Sequence, residues 1–281
     1  MRSILVLIAL LWAQQGFSCT SNGSEGFLPK NDMRIPVGSK LASDMTEERF
    51  NAIIDKVESV YAPIVKGEGA RLKFNRKWTD DTVNASAQQF WKIWVVNMFG
   101  GLARHPDVTA DGFALVVCHE LGHHLAGAPT NNFPMKWASN EGQSDYFASL
   151  KCLRKVFGED DNMNIVANMT VDATAEKQCQ ASWSNQEDIS LCVRAAMAGK
   201  SLATLLGRGA PISFDSPDVN VVDRTNDRHP AGQCRLDTYF QGSLCEMKHE
   251  DDVSSSDALV GTCNRSTGHT VGVRPLCWYK P

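Results

Sequence analysis

The sequence predicts an α+β protein: a small sheet with an edge strand, packed on two helices that carry the chemistry, followed by further helices and a disulfide-bonded C-terminal tail. Strand-like alternation is confined to residues 70–99, and helical periodicity dominates the rest. Hydrophobic residues make up 43% and charged residues 21% of the 281 positions, which is ordinary for a globular chain. A net charge of -4 provides no broad basic surface, so we expect no nucleic-acid partner.

The N-terminus is typical of an export signal. Arg2 is followed by an apolar run over 4–12, which is shorter than the ~20 residues of a membrane span. Small residues at Gly16 and Ser18 then precede Cys19. We expect a signal peptide over 1–18, with a buried N-terminal helix as the alternative. Cys19 is also a candidate for lipidation, and such a lipid is the only membrane contact we expect.

The nine cysteines support export. Without Cys19 their number is even, and no two are spaced as C-x-x-C. We expect up to four disulfides, formed in the bacterial periplasm or after secretion; buried free thiols are the alternative. Pairs that close short loops are preferred, namely Cys179–Cys192, Cys234–Cys245 and Cys263–Cys277. Cys118 and Cys152 would then remain.

The elements follow in order along the chain. Residues 19–45 are rich in Ser, Gly, Asn and Pro and predict an exposed linker. A metallopeptidase domain is expected over 46–243 and a cysteine-containing extension over 244–281, with no membrane-spanning helix after the signal. The predicted elements are a helix from Thr46 to Tyr61, strands over 70–78, 82–90 and 93–99, a helix over 110–125 capped by Thr109, a helix from Glu141 to about Phe157 capped by Asn140, and a helix from about Glu187 to Leu206.

One motif points to metal chemistry. His119, Glu120 and His123 form H-E-x-x-H on a predicted helix. Residues four apart share a helical face, so both imidazoles can reach one ion. Neutral imidazole is a good zinc ligand, and Glu120 stands where it can take a proton from a metal-activated water. Buried without an ion, two histidines and a glutamate would lack partners.

The next helix supplies a third ligand. Glu141 and Asp145 lie four residues apart on one face, with Glu141 as the candidate ligand. Asp145 can accept the other ring N–H of His119 and orient that ring. His124 is rotated ~100° from His123 and is expected to be a packing residue, or to support a ligand without binding the ion itself.

These motifs, in this order, resemble the gluzincin metallopeptidases, and within them the HtpX-like and CAAX-prenyl-protease-like peptidases. The segment Val83 to Ala87 resembles the N-A-x-A strand of that family, 93–102 its next strand and turn, and His229-Pro230 its late H-P motif. The resemblance implies that Asn84 and Ala85 lie on an edge strand that binds extended peptide. It also implies that His229 donates a hydrogen bond to the oxyanion.

We therefore expect a zinc-dependent endopeptidase with one zinc per chain and a polypeptide substrate. The cysteine-rich tail lies outside the family pattern, so the resemblance does not identify the substrate. The alternative is a secreted binding or chaperone-like protein with a non-catalytic zinc site. Structural zinc usually has four protein ligands, whereas this sequence offers three and a well-placed Glu120. A latent enzyme whose fourth metal position is occupied lies between the two.

Overall fold

The computed structural model describes residues 26–132 and 136–281, and the protein is mixed α+β. The predicted signal peptide over 1–18 and the lipidation candidate Cys19 lie outside the described residues. The elements are α1 (Glu47–Gly67), β1 (Arg71–Lys77), β2 (Ala85–Phe90), β3 (Ile93–Phe99), α2 (Gly100–Ala103), α3 (Ala110–Leu125), α4 (Glu141–Phe147), a π-helical segment (Ala148–Cys152), α5 (Leu153–Phe157), α6 (Asn162–Ala167), α7 (Ala173–Ser182), α8 (Gln186–Gly207) and α9 (Gly232–Leu244).

The three predicted strands form one sheet in the order β1-β3-β2. Strand β1 runs parallel to β3, with Arg71 opposite Ile93. Strand β2 pairs with β3 in the antiparallel direction and is an outer strand. The family resemblance implied an edge position for this strand.

Helix α3 lies at the centre of the fold. The Thr109 hydroxyl accepts a hydrogen bond from the Gly112 amide at 3.0 Å, so the helix begins where the sequence places it. It packs against α1, α4, α8 and the strands β2 and β3, which explains why its middle is apolar on every side. Helix α8 is long and apolar enough to span a bilayer, yet 72% of its most hydrophobic window is buried inside the protein.

The predicted helix from Glu141 to Phe157 is divided into α4, the π-helical segment and α5. Its N-cap is correct, because the Asn140 side chain accepts from the Gln143 amide at 2.9 Å. Four helices, α2, α6, α7 and α9, lie outside the predicted ones. Helices α2 and α6 span only 4 and 6 residues, α7 is short and mostly polar, and α9 contains Gly232 and Gly242, so none shows a strong helical pattern.

Residues 26–45, which the sequence predicts to be an exposed linker, are only partly exposed. Phe27 and Leu28 are fully buried, and Ile35 and Met45 are also part of the core. Val83 N donates to Met33 O at 3.3 Å, so the segment runs along the residues that precede β2. Four apolar side chains in a polar stretch were too widely spaced to show helical or strand periodicity.

Four disulfides join the eight described cysteines: Cys118–Cys152, Cys179–Cys192, Cys234–Cys277 and Cys245–Cys263. The first two agree with expectation. The expected pairs Cys234–Cys245 and Cys263–Cys277 are wrong. Cys234 lies in the first turn of α9 and Cys245 at its end, about 16 Å apart along a helix, whereas a disulfide needs Cα atoms about 4.4–6.8 Å apart.

The C-terminal tail packs on the helix that bears Glu141. The fully buried Trp278 ring lies over Gly142, where an added Cβ would come within 2.2 Å of it. Arg274 donates to the Gln143 side chain at 2.7 Å. The tail, crosslinked to α9 through Cys277, therefore supports α4 directly.

Candidate metal centre

Helices α3 and α4 bring three candidate ligands together. His119 and His123 lie on one face of α3 with ring centroids 4.8 Å apart, and Glu141 is the first residue of α4. Glu141 Oε2 is 3.3 Å from His119 Nε2, and its Oε1 is 3.7 Å from His123 Nε2. All three side chains are buried, and one donor atom from each lies within 4.8 Å of the others, a grouping that can hold a metal ion.

The close approach of the two helices depends on a glycine. A Cβ on Gly122 would lie 3.0 Å from the Cα of Ser144, closer than an ordinary contact, so a larger residue would push α3 and α4 apart by a few tenths of an ångström. The disulfide Cys118–Cys152 joins α3 to the π-helical segment after α4. The ligands therefore stand on two helices that are in contact and covalently connected.

Hydrogen bonds orient both imidazoles. His119 Nδ1 is 2.7 Å from Asp145 Oδ1, as the sequence indicated, and His123 Nδ1 is 2.9 Å from the Ser139 carbonyl. A carbonyl can only accept, so His123 carries its proton on Nδ1 and presents Nε2 as a lone pair. Each ring thus turns its Nε2 towards Glu141.

His124, the third histidine of this helix, is a packing residue as expected. It stacks between Trp94 and Trp137, at ring-centroid distances of 5.1 and 5.0 Å.

Glu120 is buried beside the cluster. Neither of its carboxylate oxygens has a hydrogen-bond partner among residues 26–132 and 136–281. Burial raises the pKa of Glu120 to about 8 in the metal-free centre, and the neighbouring Glu141 carboxylate adds to the shift. Such a carboxylate is a stronger base than an exposed one.

The pKa values of the three candidate ligands are also shifted. Burial lowers the pKa of His123 to about 4, so this ligand is neutral at neutral pH. Burial would lower the pKa of His119 too, but Asp145 and Glu141 raise it to about 9. Burial opposes ionisation of Glu141, yet the surrounding imidazoles, His229 first among them, hold its pKa below the usual range. A metal ion at this point would displace the proton of His119.

A buried arginine that the sequence did not indicate completes this network. Arg235 of α9 is 0% exposed and binds both oxygens of Asp145, with Nε–Oδ2 and Nη2–Oδ1 distances of 2.7 Å. Burial opposes its charge, but the Asp145 carboxylate raises its pKa above the usual value. No motif in the sequence singles out Arg235, and the one available signal was Asp145, a buried carboxylate that needs a cationic partner.

His229, expected to act on the oxyanion, does reach the cluster. Its Nε2 lies 3.4 Å from Glu141 Oε1 and donates to the Gly26 carbonyl at 2.6 Å. The side chain is 25% exposed, which makes it the most accessible histidine of the group.

Of the two expected peptide-binding residues, Ala85 begins the outer strand β2 and Asn84 immediately precedes it. Both bind the chain's own N-terminal segment. Asn84 Oδ1 accepts from the Leu28 amide at 2.8 Å, and the Ala85 carbonyl accepts from the Phe27 amide at 2.9 Å.

The residues fit a metal ion. Buried His119 Nε2 and His123 Nε2 have no hydrogen-bond partner among the described residues, which is costly unless an ion satisfies them. Two imidazoles and a carboxylate suit zinc and several other transition metals, so the donor set alone leaves the metal open.

Searches of protein-family models, curated proteins and solved structures returned no match to the chain. What the protein shows is therefore a buried His-His-Glu group able to bind a metal, in a disulfide-bonded α+β fold.

Proposed function

We propose that the protein is a zinc-dependent endopeptidase that acts on polypeptides in an exported compartment, with one zinc held by His119, His123 and Glu141. The observation that carries the proposal is the buried three-ligand cluster with Glu120, a carboxylate without a partner, beside it. Four disulfides are compatible with an oxidising compartment outside the cytosol.

Three ligands favour a catalytic site over a structural one. A structural zinc has four protein ligands, whereas a catalytic zinc keeps a position for water. The nearest further histidine, His229, uses its Nε2 to bind the Gly26 carbonyl instead. When bound, zinc supplies Lewis acidity for a water and for a scissile carbonyl.

The protein's own groups then move the proton and stabilise charge. Glu120, with its raised pKa, accepts the proton of the attacking water and returns it to the leaving amine. His229 donates from Nε2 to the oxygen on which negative charge develops, an interaction of the kind it already makes with a carbonyl.

Arg235 and Asp145 together position His119. The ion pair fixes the carboxylate, and the carboxylate orients the ring.

The test is peptide hydrolysis by the purified, zinc-loaded chain, with Glu120→Gln as the diagnostic variant and the exposed Glu68→Gln as its matched control. The amide is nearly isosteric and touches no ligand, so Glu120→Gln should keep its zinc and its fold. Its kcat should fall about 10²–10⁴-fold, the usual contribution of a positioned acid–base group. Undiminished hydrolysis by zinc-bound Glu120→Gln would rule out this mechanism.

A further inference from the structure

Residues Gly26, Phe27 and Leu28 lie between the start of β2 and the candidate metal centre. All three are buried, and Phe27 and Leu28 are 0% exposed. Their contacts are made largely with residues already placed in the site, namely His119, His229 and Arg235 on one side and Asn84 and Ala85 on the other.

Side chains of the site bind three successive carbonyls of this segment. His229 Nε2 donates to the Gly26 carbonyl at 2.6 Å, Arg235 Nη1 to the Phe27 carbonyl at 2.8 Å, and Asn84 Nδ2 to the Leu28 carbonyl at 3.1 Å. The distances from Arg235 and Asn84 are those of ordinary hydrogen bonds, and the one from His229 is slightly shorter. Donors arranged in this way would recognise the backbone of any extended peptide.

The two amides of the segment are bound as well. Phe27 N donates to the Ala85 carbonyl and Leu28 N to the Asn84 side chain. The chain then continues antiparallel to the residues before β2, where Arg34 bridges Thr82. The addition of an extended segment to the end of an outer strand is a recurrent mode of peptide binding.

One side chain of the segment is recognised specifically. The Phe27 ring meets the His119 ring edge-on, with centroids 5.1 Å apart, and the Arg235 guanidinium lies 4.5 Å from its centre. An aromatic ring is favoured between an imidazole and a cation. The residue bound next to the ligands is therefore a large apolar one.

Gly26 permits the segment to lie close to the backbone of β2. A Cβ at this position would lie 1.8 Å from the Ala85 carbonyl oxygen, a backbone atom that cannot move aside as a side chain can. Any larger residue must lift the segment away from the strand.

We propose that Gly26–Leu28 occupies the peptide-binding site of this centre as an intramolecular ligand, and that the site takes extended peptides with an aromatic residue beside His119. The proposal rests on the proposed function. The segment then competes with any second peptide for these donors, so the full chain binds and hydrolyses peptide only in the fraction of molecules in which the segment has left the site.

The connection to the rest of the chain is accessible. Pro29 and Lys30, which follow the bound residues, are exposed. After a cut at this point, only non-covalent contacts would connect Gly26–Leu28 to the rest of the protein. A tethered ligand would then become one that can dissociate.

The experiment measures binding of a fluorescein-labelled peptide, Gly-Phe-Leu-Pro-Lys, to the zinc-loaded full chain by anisotropy. Glu120→Gln is present throughout, so that no peptide is consumed. Gly26→Val should bind at least tenfold more tightly than the same chain with Gly26, because the segment no longer competes. Gly67→Ala, where an added Cβ meets nothing within 4 Å, is the control and should leave affinity unchanged.

A second peptide tests the pocket, since Gly-Ala-Leu-Pro-Lys should bind Gly26→Val at least tenfold more weakly. Equal affinity of Gly26→Val and its parent, or equal binding of the two peptides, would overturn the proposal.

If Gly26→Val does not fold, a cleavable form of the protein tests the same proposal. A recognition sequence for a site-specific protease, inserted between Lys30 and Asn31, is cut after folding, and the protein is then diluted and assayed. Peptide affinity should rise at least tenfold on cutting, and no change would contradict the proposal.

Hydrolysis measured separately in chains with native Glu120 distinguishes the two claims. Selective peptide binding without hydrolysis would refute the proposed function and leave the proposal of an intramolecular ligand standing. Hydrolysis that depends on Glu120 and is unchanged by Gly26→Val would refute only the competition by the segment.

Discussion

Removal of Arg235 tests how strongly the buried ion pair supports the candidate metal site. Arg235→Met keeps the apolar stem but leaves Asp145, 0% exposed, with His119 as its only charged partner among residues 26–132 and 136–281. Removal of one member of a buried pair costs about 3–5 kcal/mol, because the other charge stays buried and uncompensated. We expect the free energy of unfolding of the metal-free protein to fall by that amount.

Zinc affinity should fall as well. Without Arg235 the Asp145 carboxylate is free to shift, and the His119 ring loses its fixed orientation. Loss of such orienting contacts costs about 10–100-fold in metal affinity. The assays are urea denaturation of the metal-free protein and competition with a chelator for zinc.

Arg194 provides the control, since it forms a partly buried pair with Asp111 at 2.7 Å and lies outside the site. Arg194→Met should lower stability without changing zinc affinity. A loss below 1 kcal/mol in Arg235→Met, or equal loss of zinc affinity in both variants, would refute this reasoning.

Three further predictions concern the fold around the centre. Replacing both Cys118 and Cys152 by Ala should cost about 2–4 kcal/mol in urea denaturation, and unchanged stability would show that the crosslink between α3 and the π-helical segment contributes nothing. Gly142→Ala should cost about 1–3 kcal/mol and lower Tm, because its Cβ would overlap the Trp278 ring; an unchanged Tm would contradict the packing described for the tail. Burial lowers the pKa of Lys151 to about 8 in the folded protein, so above that pH the unfolded chain binds more protons than the folded one. The wild type should therefore gain stability relative to Lys151→Met as the pH rises from 7.5 to 9.5. A difference in stability that does not change with pH would argue against the shift.

Local signals explain what the sequence predicted well. Thr109 and Asn140 each cap a helix that bears candidate ligands, so the starts of α3 and α4 were correct to the residue. The spacing of His119 and His123 required only a helix to bring them together. Asp145 likewise reached His119 because both lie on these two helices.

Features that depend on tertiary contacts were missed. Arg235 is far from Asp145 in sequence, and no local pattern distinguishes a buried arginine from an exposed one. Phe27 and Leu28 stand in a polar stretch, so their burial is visible only once β2 and α9 are in place. The pairing of Cys234 with Cys277 required knowledge that α9 is a helix.

Metal content tests the central claim most directly. Elemental analysis of the purified full chain should find about one zinc per molecule in the wild type and in His105→Ala, a control outside the cluster. His123→Ala removes one of three ligands and should lose most of its zinc. A wild type without bound metal, or full zinc retention in His123→Ala, would contradict the assignment of His119, His123 and Glu141 as the metal site.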